Sequence, residues 1–463
     1  MNETTSRGAI DAPQTKDPRR WRILWMLGVA QLMLILDVTV VAIALPHMGD
    51  DLGLSREALT WVVSGYTLAF GGLLLLGGRL ADVHGSRRIV QVGLTLFGAS
   101  SLAAGLATSG PLLLGGRVGQ GLAAALLSPA ALSLVVTTFE GEERNRALGI
   151  WSALGGGGAA LGVLVGGLLT AGPGWPWVFF VNVPIAVVLL VGLRVSLPTA
   201  TRQRSRGAVD VLGAVLVTSA TAVLIVGLIR AGETGWLTTT TALSVAVAAA
   251  LYAGFVWRQR MATVPLMDLH LLIRRPVATG AVLIAVATAL MITVFFLGSF
   301  YLQQHQGFGA LTTGLLFLPV AVATMAGANL TGRLLGTAGA RTMGVVGLVV
   351  AALGMLVPSM VEGVPALVVG ISVAAAGTGA VFVVASATAL GQVAPEEAGV
   401  AAGIVSTFHE FGASIGAAVM SSIAAASLLG GELDGFARGF GAAAAVALGA
   451  AALTAVLARP RPA

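Results

Sequence analysis

The chain of 463 residues contains no cysteine, a single lysine at Lys16 and few charged side chains of any kind. Without cysteine it can have no disulfide framework, no thiolate nucleophile and no cysteine-ligated metal. Charged residues form 10% of the chain and hydrophobic residues 56%, whereas soluble proteins are about 25% charged. So little polar surface could not cover a soluble core, and the shortage of charge therefore indicates that lipid surrounds most of the chain.

Long apolar runs are what the chain has instead, and they predict an all-α integral membrane protein with fourteen transmembrane helices. Each run is near the length of about 20 residues that a bilayer requires, and runs this long exclude barrel strands, which need only about 9–11 residues. The first run, from Ile23 to Leu45, is also too long for a cleaved signal peptide. The runs lie at about 23–45, 59–80, 89–108, 111–138, 147–171, 176–197, 209–229, 237–257, 277–301, 311–332, 342–361, 365–391, 399–428 and 436–458.

The net charge of +6 could suggest nucleic-acid binding, but the distribution of the basic residues favours an orientation signal. Lysine and arginine mark the cytoplasmic ends of membrane helices. With both termini placed inside, 22 of the 26 basic residues fall on the inner side and one, Arg117, falls within a span. Only Arg56, Arg230 and Arg438 fall outside. We therefore predict a multi-pass protein of the plasma membrane with both termini cytoplasmic and no nucleic-acid partner.

A charged segment that occurs twice predicts two similar halves. GRLADVHGSR at 78–87 and GRLLGTAGAR at 332–341 share Gly-Arg-Leu, a glycine and a final arginine at the same offsets. They join spans 2 and 3 and spans 10 and 11, which correspond if two six-helix halves flank an inserted helix pair. Chance recurrence in a chain rich in glycine and arginine is the alternative. The predicted organisation is a tail at 1–22, an N-terminal half at 23–197, a linker with the inserted pair at 198–275, a C-terminal half at 276–458 and a tail at 459–463.

Five stretches carry a family resemblance. They are LDVTVVAIALP at 36–46, GRLADVHGSRR at 78–88, RVGQG at 117–121, GGGGAALGVLVGG at 155–167 and WPWVFFVNVP at 175–184. In this order and on these spans they resemble the major facilitator superfamily, and more narrowly its fourteen-span family of drug:proton antiporters. The resemblance implies export of a hydrophobic or cationic drug, or of a natural product, in exchange for protons. It also implies a gating role for the segment between spans 2 and 3.

Asp37 is the first candidate for proton coupling. It lies 15 residues beyond Arg22, about 22 Å along a helix, and therefore well inside the membrane. Burial raises the pKa of a carboxyl group, so Asp37 could bind and release a proton as its exposure alternates. The alternative is a carboxylate tied permanently to a partner on a neighbouring helix. Arg117, within span 4, keeps its charge and must pair with Asp37, with substrate or with water in a cavity.

His409 and Glu410, in the sequence STFHEFGASIG of span 13, are the second candidates for proton coupling. Adjacent residues lie about 100° apart on a helix, so only one of them need face a cavity. Histidine and acidic residues form proton relays in membranes. The alternative is a pair near the cytoplasmic end that is wetted and structural.

The segment between spans 2 and 3 is predicted to form a cytoplasmic gate made of Gly78, Asp82, Gly85, Arg87 and Arg88. The glycines give a short loop the backbone freedom that it needs. We expect Asp82 to act as a latch, because an acid on the inner side serves no orienting purpose. The arginines could instead be ordinary positive-inside residues, and for Arg88 we favour that interpretation.

The glycines of span 5 have two interpretations. Gly158, Gly162 and Gly166 are spaced by four residues, and Gly167 follows directly. Such spacing lets helices approach closely. It predicts either a sliding surface between the halves or simple tight packing.

The leading hypothesis is a secondary transporter that exports a small organic molecule by alternating access, driven by protons. Uptake by symport is the alternative. A membrane enzyme is disfavoured because the five histidines are scattered and no HExxH or GxSxG motif occurs. We expect a monomer in the bilayer whose partners are substrate and protons, with no cofactor and no metal.

Overall fold

A computed structural model describes residues 19–139, 164–196, 210–391, 398–425 and 434–457, together with positions 143, 147, 150, 158, 161, 162, 393, 427 and 428. Every regular element in these residues is helical. The helices before the linker are α1 (Arg19–Leu52), α2 (Arg56–His84), α3 (Ser86–Gly105), α4 (Gly110–Thr138), α5 (Trp177–Phe180) and α6 (Asn182–Ser196). Residues 164–171 are also helical.

The helices of the linker and of the region beyond it continue the same pattern of long apolar elements joined by short turns. They are α7 (Val211–Thr234), α8 (Thr239–Met261), α9 (Leu269–Ile273), α10 (Arg275–Phe300), a π-helical turn (Tyr301–His305), α11 (Ala310–Leu316), α12 (Leu318–Ala338), α13 (Ala340–Met360), α14 (Val364–Leu390), α15 (Ala398–Ile423) and α16 (Asp434–Leu457). The turns carry the expected caps. Ser55 accepts a hydrogen bond from the N–H of Ala58, and Thr238 accepts one from the N–H of Thr241.

Eleven helical segments among the described residues are long and apolar enough to cross a membrane. They coincide with eleven of the predicted runs. Helices α3 and α15, of 20 and 26 residues, lie at the third and thirteenth predicted runs. The first turn of α3 contains Arg87 and Arg88, and α15 contains His409 and Glu410, so polar residues lower the mean hydropathy of both. About half of the fifth predicted run, 147–171, lies outside the described residues.

The repeated segment forms the same turn in both places. Gly85 has φ +90° and Gly339 has φ +78°, and each ends one helix and precedes the next. The N–H of Gly85 donates to the carbonyl of Ala81, and the N–H of Gly339 donates to that of Leu335. Side chains other than glycine rarely adopt such positive φ angles, so a sharp turn between two long helices explains why both copies keep this glycine.

The closing arginine of the segment makes an equivalent contact in each copy. The guanidinium of Arg87 donates to the carbonyl oxygen of Arg194, near the end of α6, at 3.2 Å. The guanidinium of Arg341 donates to the carbonyl oxygen of Ala455, near the end of α16, at 2.6 Å. The last carbonyls of a helix have no partner within the helix and attract cations. Each arginine therefore fastens the turn to the final helix that follows it.

Helix packing on the two sides of the linker is also alike. Helix α4 packs against α2 and α3, and α3 packs against α6. Helix α14 packs against α12 and α13, and α13 packs against α16. The two sets have the same order along the chain. Between them, α7 and α8 pack on each other, and α7 also contacts α2 and α15.

A buried clamp fixes the α7–α8 pair to the segment that follows it. Asp210 caps α7 through the N–H of Gly213 and accepts hydrogen bonds from Arg258 at 2.9 Å and Gln259 at 2.8 Å. Gln259 in turn accepts from the N–H of Leu266 at 2.7 Å. Burial raises the pKa of the Asp210 carboxyl, but these donors outweigh it, so the pKa lies below its usual value.

Candidate functional site

Asp37 of α1 and Arg117 of α4 form an ion pair in the interior of the bundle. The Nη1 of Arg117 donates to Oδ2 of Asp37, and the two residues are 2% and 1% exposed. Arginine does not give up its proton in proteins, so its charge must be balanced where it is buried. Of the partners considered for Arg117 from the sequence, the structure brings Asp37 to it.

Buried amide side chains complete the hydrogen bonding of this pair. Gln120 donates to Oδ1 of Asp37 at 2.9 Å and accepts from Nη1 of Arg117 at 2.9 Å. Asn182 donates to Oδ1 of Asp37 at 3.2 Å, and the Nε of Arg117 donates to the carbonyl of Val62 at 2.9 Å. Such full satisfaction is what allows two charges to be buried. We call Asp37, Arg117, Gln120 and Asn182 the Asp37 network.

Aromatic rings seal the Asp37 network. The guanidinium carbon of Arg117 lies 4.4 Å from the ring centroid of Tyr66 and 5.9 Å from that of Phe179. An aromatic face attracts a cation most strongly when water is excluded. The hydroxyl of Tyr66 donates to the carbonyl of Leu34 at 3.3 Å, which fixes the ring. The site is therefore enclosed on this side.

Glu410 of α15 lies at the contact between α15 and α2. It is 7% exposed, and a methyl group added at Gly71 of α2 would come within 2.5 Å of its Cβ. His409 is next to it, with Nδ1 3.2 Å from Oε1 of Glu410 and a side chain that is 42% exposed. The His409 ring also lies 5.9 Å from the ring of Phe382. The two adjacent residues thus differ in exposure, as their separation on the helix predicts.

Helix α2 connects the Asp37 network to Glu410. Gly71 of α2 lies against Glu410, and the ring of Tyr66 on the same helix faces the guanidinium of Arg117 in the Asp37 network. One residue further along α2, the hydroxyl of Thr67 is hydrogen-bonded to that of Ser414 on α15. Helix α2 therefore contacts both the Asp37 network and the helix that carries Glu410.

The residues predicted to form the gate lie together at the turn between α2 and α3. Asp82 has a side chain that is 58% exposed and forms a salt bridge of 3.8 Å with Arg79, on its own helix. Gly78 lies near Pro129 of α4, and Gly85 has the positive φ angle described above. The other two predicted residues, Arg87 and Arg88, lie in the first turn of α3.

The glycines of span 5 divide between two neighbours. Methyl groups added at Gly158, Gly162 and Gly166 would meet residues of α1. One added at Gly167 would instead lie 2.9 Å from the carbonyl oxygen of Ala310 in α11. Close packing on α1 therefore accounts for the spacing of four, and only Gly167 touches a helix beyond the linker.

Several residues of the site escaped the sequence analysis. Gln120 carried a usable signal, because it lies three residues after Arg117 and therefore on the same face of α4. Asn182 lies within the stretch at 175–184, but nothing there indicates which helix it meets. Gly71 gave no signal, since it lies in an apolar run. No group of three or more metal-ligating side chains occurs within the described part of the chain.

Comparison with known sequences decides the family. The sequence profile of the Major Facilitator Superfamily matches residues 27–417. The chain belongs to the Major Facilitator Superfamily. It is therefore a multi-pass membrane transporter, and the expectation of a transporter rather than an enzyme is confirmed.

Two related sequences and one solved structure show how similar the chain is to known proteins. The puromycin resistance protein pur8 of Streptomyces alboniger is 36% identical over an alignment that covers 96% of this chain and 92% of the relative. The cephamycin export protein CmcT of Amycolatopsis lactamdurans is 35% identical, with 93% and 90% covered. A crystal structure of the peptide transporter POT in complex with sulfate has a TM-score of 0.67 at 16% identity, with 94% of each chain covered. This last likeness concerns the fold alone.

Proposed function

We propose that this transporter exports a small hydrophobic or cationic drug, antibiotic or natural product in exchange for protons. The names of its relatives support this substrate class, because they describe resistance to puromycin and export of cephamycin. The observation that carries the proton coupling is the placement of two buried carboxylates. Asp37 lies within the first set of helices and Glu410 lies where α15 meets α2.

Proton coupling requires a carboxylate whose interactions change with its own protonation or with the conformation of the helices around it. Protonation of Asp37 would neutralise one side of its ion pair and release Arg117 electrostatically. Glu410 lies between helices that must move relative to each other in alternating access. His409, beside it and half-exposed, can exchange protons with water. We propose that Asp37, Arg117, His409 and Glu410 together carry the coupling.

The layout that we propose is fourteen spans, with two six-helix halves and α7–α8 as an inserted pair. The matching turns at Gly85 and Gly339 and the matching arginine contacts support the two halves. Both termini are proposed to lie in the cytoplasm of a plasma-membrane protein that works as a monomer. Asp82 would then form a cytoplasmic latch in the conformation in which that side closes.

Inside-out membrane vesicles with an acidic interior test the proposed function. A fluorescent amine reports the internal pH while a panel of hydrophobic cations and antibiotics is added. We expect compound-dependent alkalinisation with the wild-type protein and none with Asp37→Asn or Glu410→Gln. The exposed carboxylate Glu362 supplies the matched control, and Glu362→Gln should behave as wild type.

Two results would contradict the proposal. Wild-type protein that is folded in the vesicles and gives no pH change with any compound would argue against export by proton exchange. Alkalinisation that persists in both Asp37→Asn and Glu410→Gln would keep the antiporter and remove these carboxylates from the coupling.

A further inference from the structure

Arg56 is an arginine in an unusual place. It is the first residue of α2 and is only 5% exposed, although the sequence places it among the few basic residues outside the predicted inner side. Topology alone would leave such a side chain in water. We call this end of the bundle, where α1 ends and α2 begins, the Arg56 end.

The guanidinium of Arg56 joins three parts of the chain. Its Nη1 donates to the carbonyl oxygen of Ser421 at 3.2 Å and to the hydroxyl of Ser421 at 3.1 Å, both on α15. Its Nη2 donates to the carbonyl oxygen of Ile229 on α7 at 3.2 Å. Arg56 therefore bridges the first set of helices, the α7–α8 pair and the helices beyond the linker. Its planar fork of donors suits this geometry, which the single ammonium group of lysine would not reproduce.

The acceptors on α15 are favourable for a cation. Ser421 lies in the last turn of α15, where carbonyl groups lack partners within the helix and the helix dipole is negative. The hydroxyl of Thr60 also donates to the hydroxyl of Ser421. The hydrogen bonds from Arg56 to Ser421 have a charged donor, and such charge-assisted hydrogen bonds are among the stronger polar contacts in proteins.

The α7–α8 pair is in close contact at the same place. A methyl group added at Gly232 of α7 would lie 2.7 Å from the backbone of Ser422. Leu68 of α2, Ile225 and Ile229 of α7 and Ala418 of α15 form one buried apolar cluster beside it. Helix α7 therefore fills the joint between α2 and α15 and does not merely lie against the outside of the bundle.

Small hydroxyl groups also lie in the interface between α2 and α15. Further along α2 from Arg56 and Thr60, the hydroxyl of Ser64 donates to the carbonyl oxygen of Ser414 at 3.3 Å. The hydroxyl of Thr67 is hydrogen-bonded to that of Ser414. Hydroxyl groups can exchange these partners for water, so separating such a surface costs less than wetting an apolar one. This composition suits a surface that opens and closes.

The opposite end of α2 differs. There Asp82 forms its salt bridge with Arg79 of the same helix and is exposed. At the Arg56 end, Gln303 of the π-helical turn also donates to the carbonyl of Ile43 in α1 at 2.9 Å. The polar contacts that cross between α1–α2 and the helices beyond the linker thus gather at the Arg56 end in this conformation.

We propose that Arg56 is a latch that holds the Arg56 end closed, and that helix α7 of the inserted pair is a working part of the latch. Opening at this end requires α2 to leave α15, and the guanidinium must then release Ser421 and Ile229. The pair α7–α8 thereby sets the balance between the two conformations. The proposal rests on the alternating-access function proposed above.

The cysteine-free chain allows a direct test with one reporter. Ser64→Cys places a thiol at a buried position of the interface, and a membrane-impermeant maleimide applied from each side of the membrane measures how often it is reached. Transient opening populates a minor conformation in about 0.1–10% of the molecules. The labelling rate is proportional to that population. Arg56→Gln should raise the rate from the Arg56 side about tenfold. The control is Arg230→Gln, which removes an exposed arginine next to Ile229 and should leave the rate unchanged.

A second pair of variants tests the part played by the inserted pair and leaves Arg56 in place. Gly232→Ala forces α7 away from α15 and should raise the labelling rate several-fold. Gly254→Ala is the matched control, because its added methyl group would lie 3.9 Å from the nearest side chain of α7. It should behave as the parent protein.

The outcomes are decisive whether or not transport has been detected, because labelling needs neither substrate nor protons. An unchanged rate in folded Arg56→Gln overturns the latch. A raised rate in Arg56→Gln with an unchanged rate in Gly232→Ala overturns the role of the inserted pair. If Arg56→Gln does not accumulate in the membrane, Arg56→Lys takes its place, because an ammonium group does not reproduce the planar fork of donors, and an unchanged rate in that variant overturns the latch.

Discussion

Two carboxylates are buried deep in the helices of this protein, and their surroundings differ. Asp37 is held by Arg117, Gln120 and Asn182, all of them on helices before the linker. Glu410 has one side-chain partner among the described contacts, His409, and lies against Gly71 of a helix from the other side of the linker. The first carboxylate is enclosed within one set of helices, whereas the second lies between two sets.

The difference separates two ways in which a charge can serve a transporter. A fully bonded network resists change, because removing any member leaves a buried partner without compensation. A carboxylate at a moving interface changes its neighbours whenever the helices move. We therefore expect Asp37 to be the more important for stability and Glu410 the more sensitive to conformation. The following predictions test this contrast.

Arg117→Ala should have the largest effect on stability. It leaves the carboxylate of Asp37 buried with no opposite charge, at a cost of about 3–5 kcal/mol. Thermal unfolding of the purified protein in detergent measures this loss. The double variant Asp37→Asn/Arg117→Gln removes both charges and should recover much of the stability. A single Arg117→Ala that unfolds like Arg438→Gln, an exposed control, would show that the network is not structural.

Glu410→Gln should have a small effect on stability and a large effect on transport. Its unfolding temperature should change little, because the amide keeps the shape of the side chain. Substrate-driven proton movement should fall by about two orders of magnitude, equivalent to ~2.7 kcal/mol of barrier. The vesicle assay measures the flux and thermal unfolding measures the stability. An unfolding temperature that falls as far as that of Arg117→Ala would remove the distinction between the two carboxylates.

Gly71→Ala tests whether the close approach of α2 and α15 is needed at Glu410. The added methyl group would meet the Cβ of Glu410, and overpacking of this kind costs about 1–3 kcal/mol. Gly65→Ala on the same helix is the control, because its methyl group would be in ordinary contact at 3.5 Å from Val118. We expect a lower unfolding temperature for Gly71→Ala than for Gly65→Ala. The reverse order would mean that α2 and α15 are not tightly packed here.

His409→Asn should have the smallest effect. The side chain is partly exposed, and water can replace its hydrogen bond to Glu410. We expect transport to fall by less than about tenfold, or ~1.4 kcal/mol, and stability to stay unchanged. A loss as complete as that of Glu410→Gln would assign the proton to the pair rather than to the carboxylate.

Much of the architecture follows from sequence patterns that report local chemistry. Apolar runs of the right length predicted helices that the structure has, including eleven candidate spans. The repeated GR-L…G…R pattern predicted two matching turns, because a positive φ angle at Gly85 and Gly339 needs glycine in both. Asp37 and Arg117 were found because a charge in an apolar run is conspicuous. The pairing between them was not predicted, since Arg117 had three possible partners.

The sequence by itself determined that the chain lies in a membrane, roughly where its long helices are, and which residues carry charge inside the membrane. These follow from hydropathy, turn chemistry and the cost of burying a charge, which are properties of short segments. Only the tertiary structure decided that Gly158, Gly162 and Gly166 pack on α1, that Gln120 and Asn182 complete the site of Asp37, and that Arg56 joins α7 to α15. These contacts depend on which helices become neighbours, and side chains hundreds of residues apart carry no local sign of meeting.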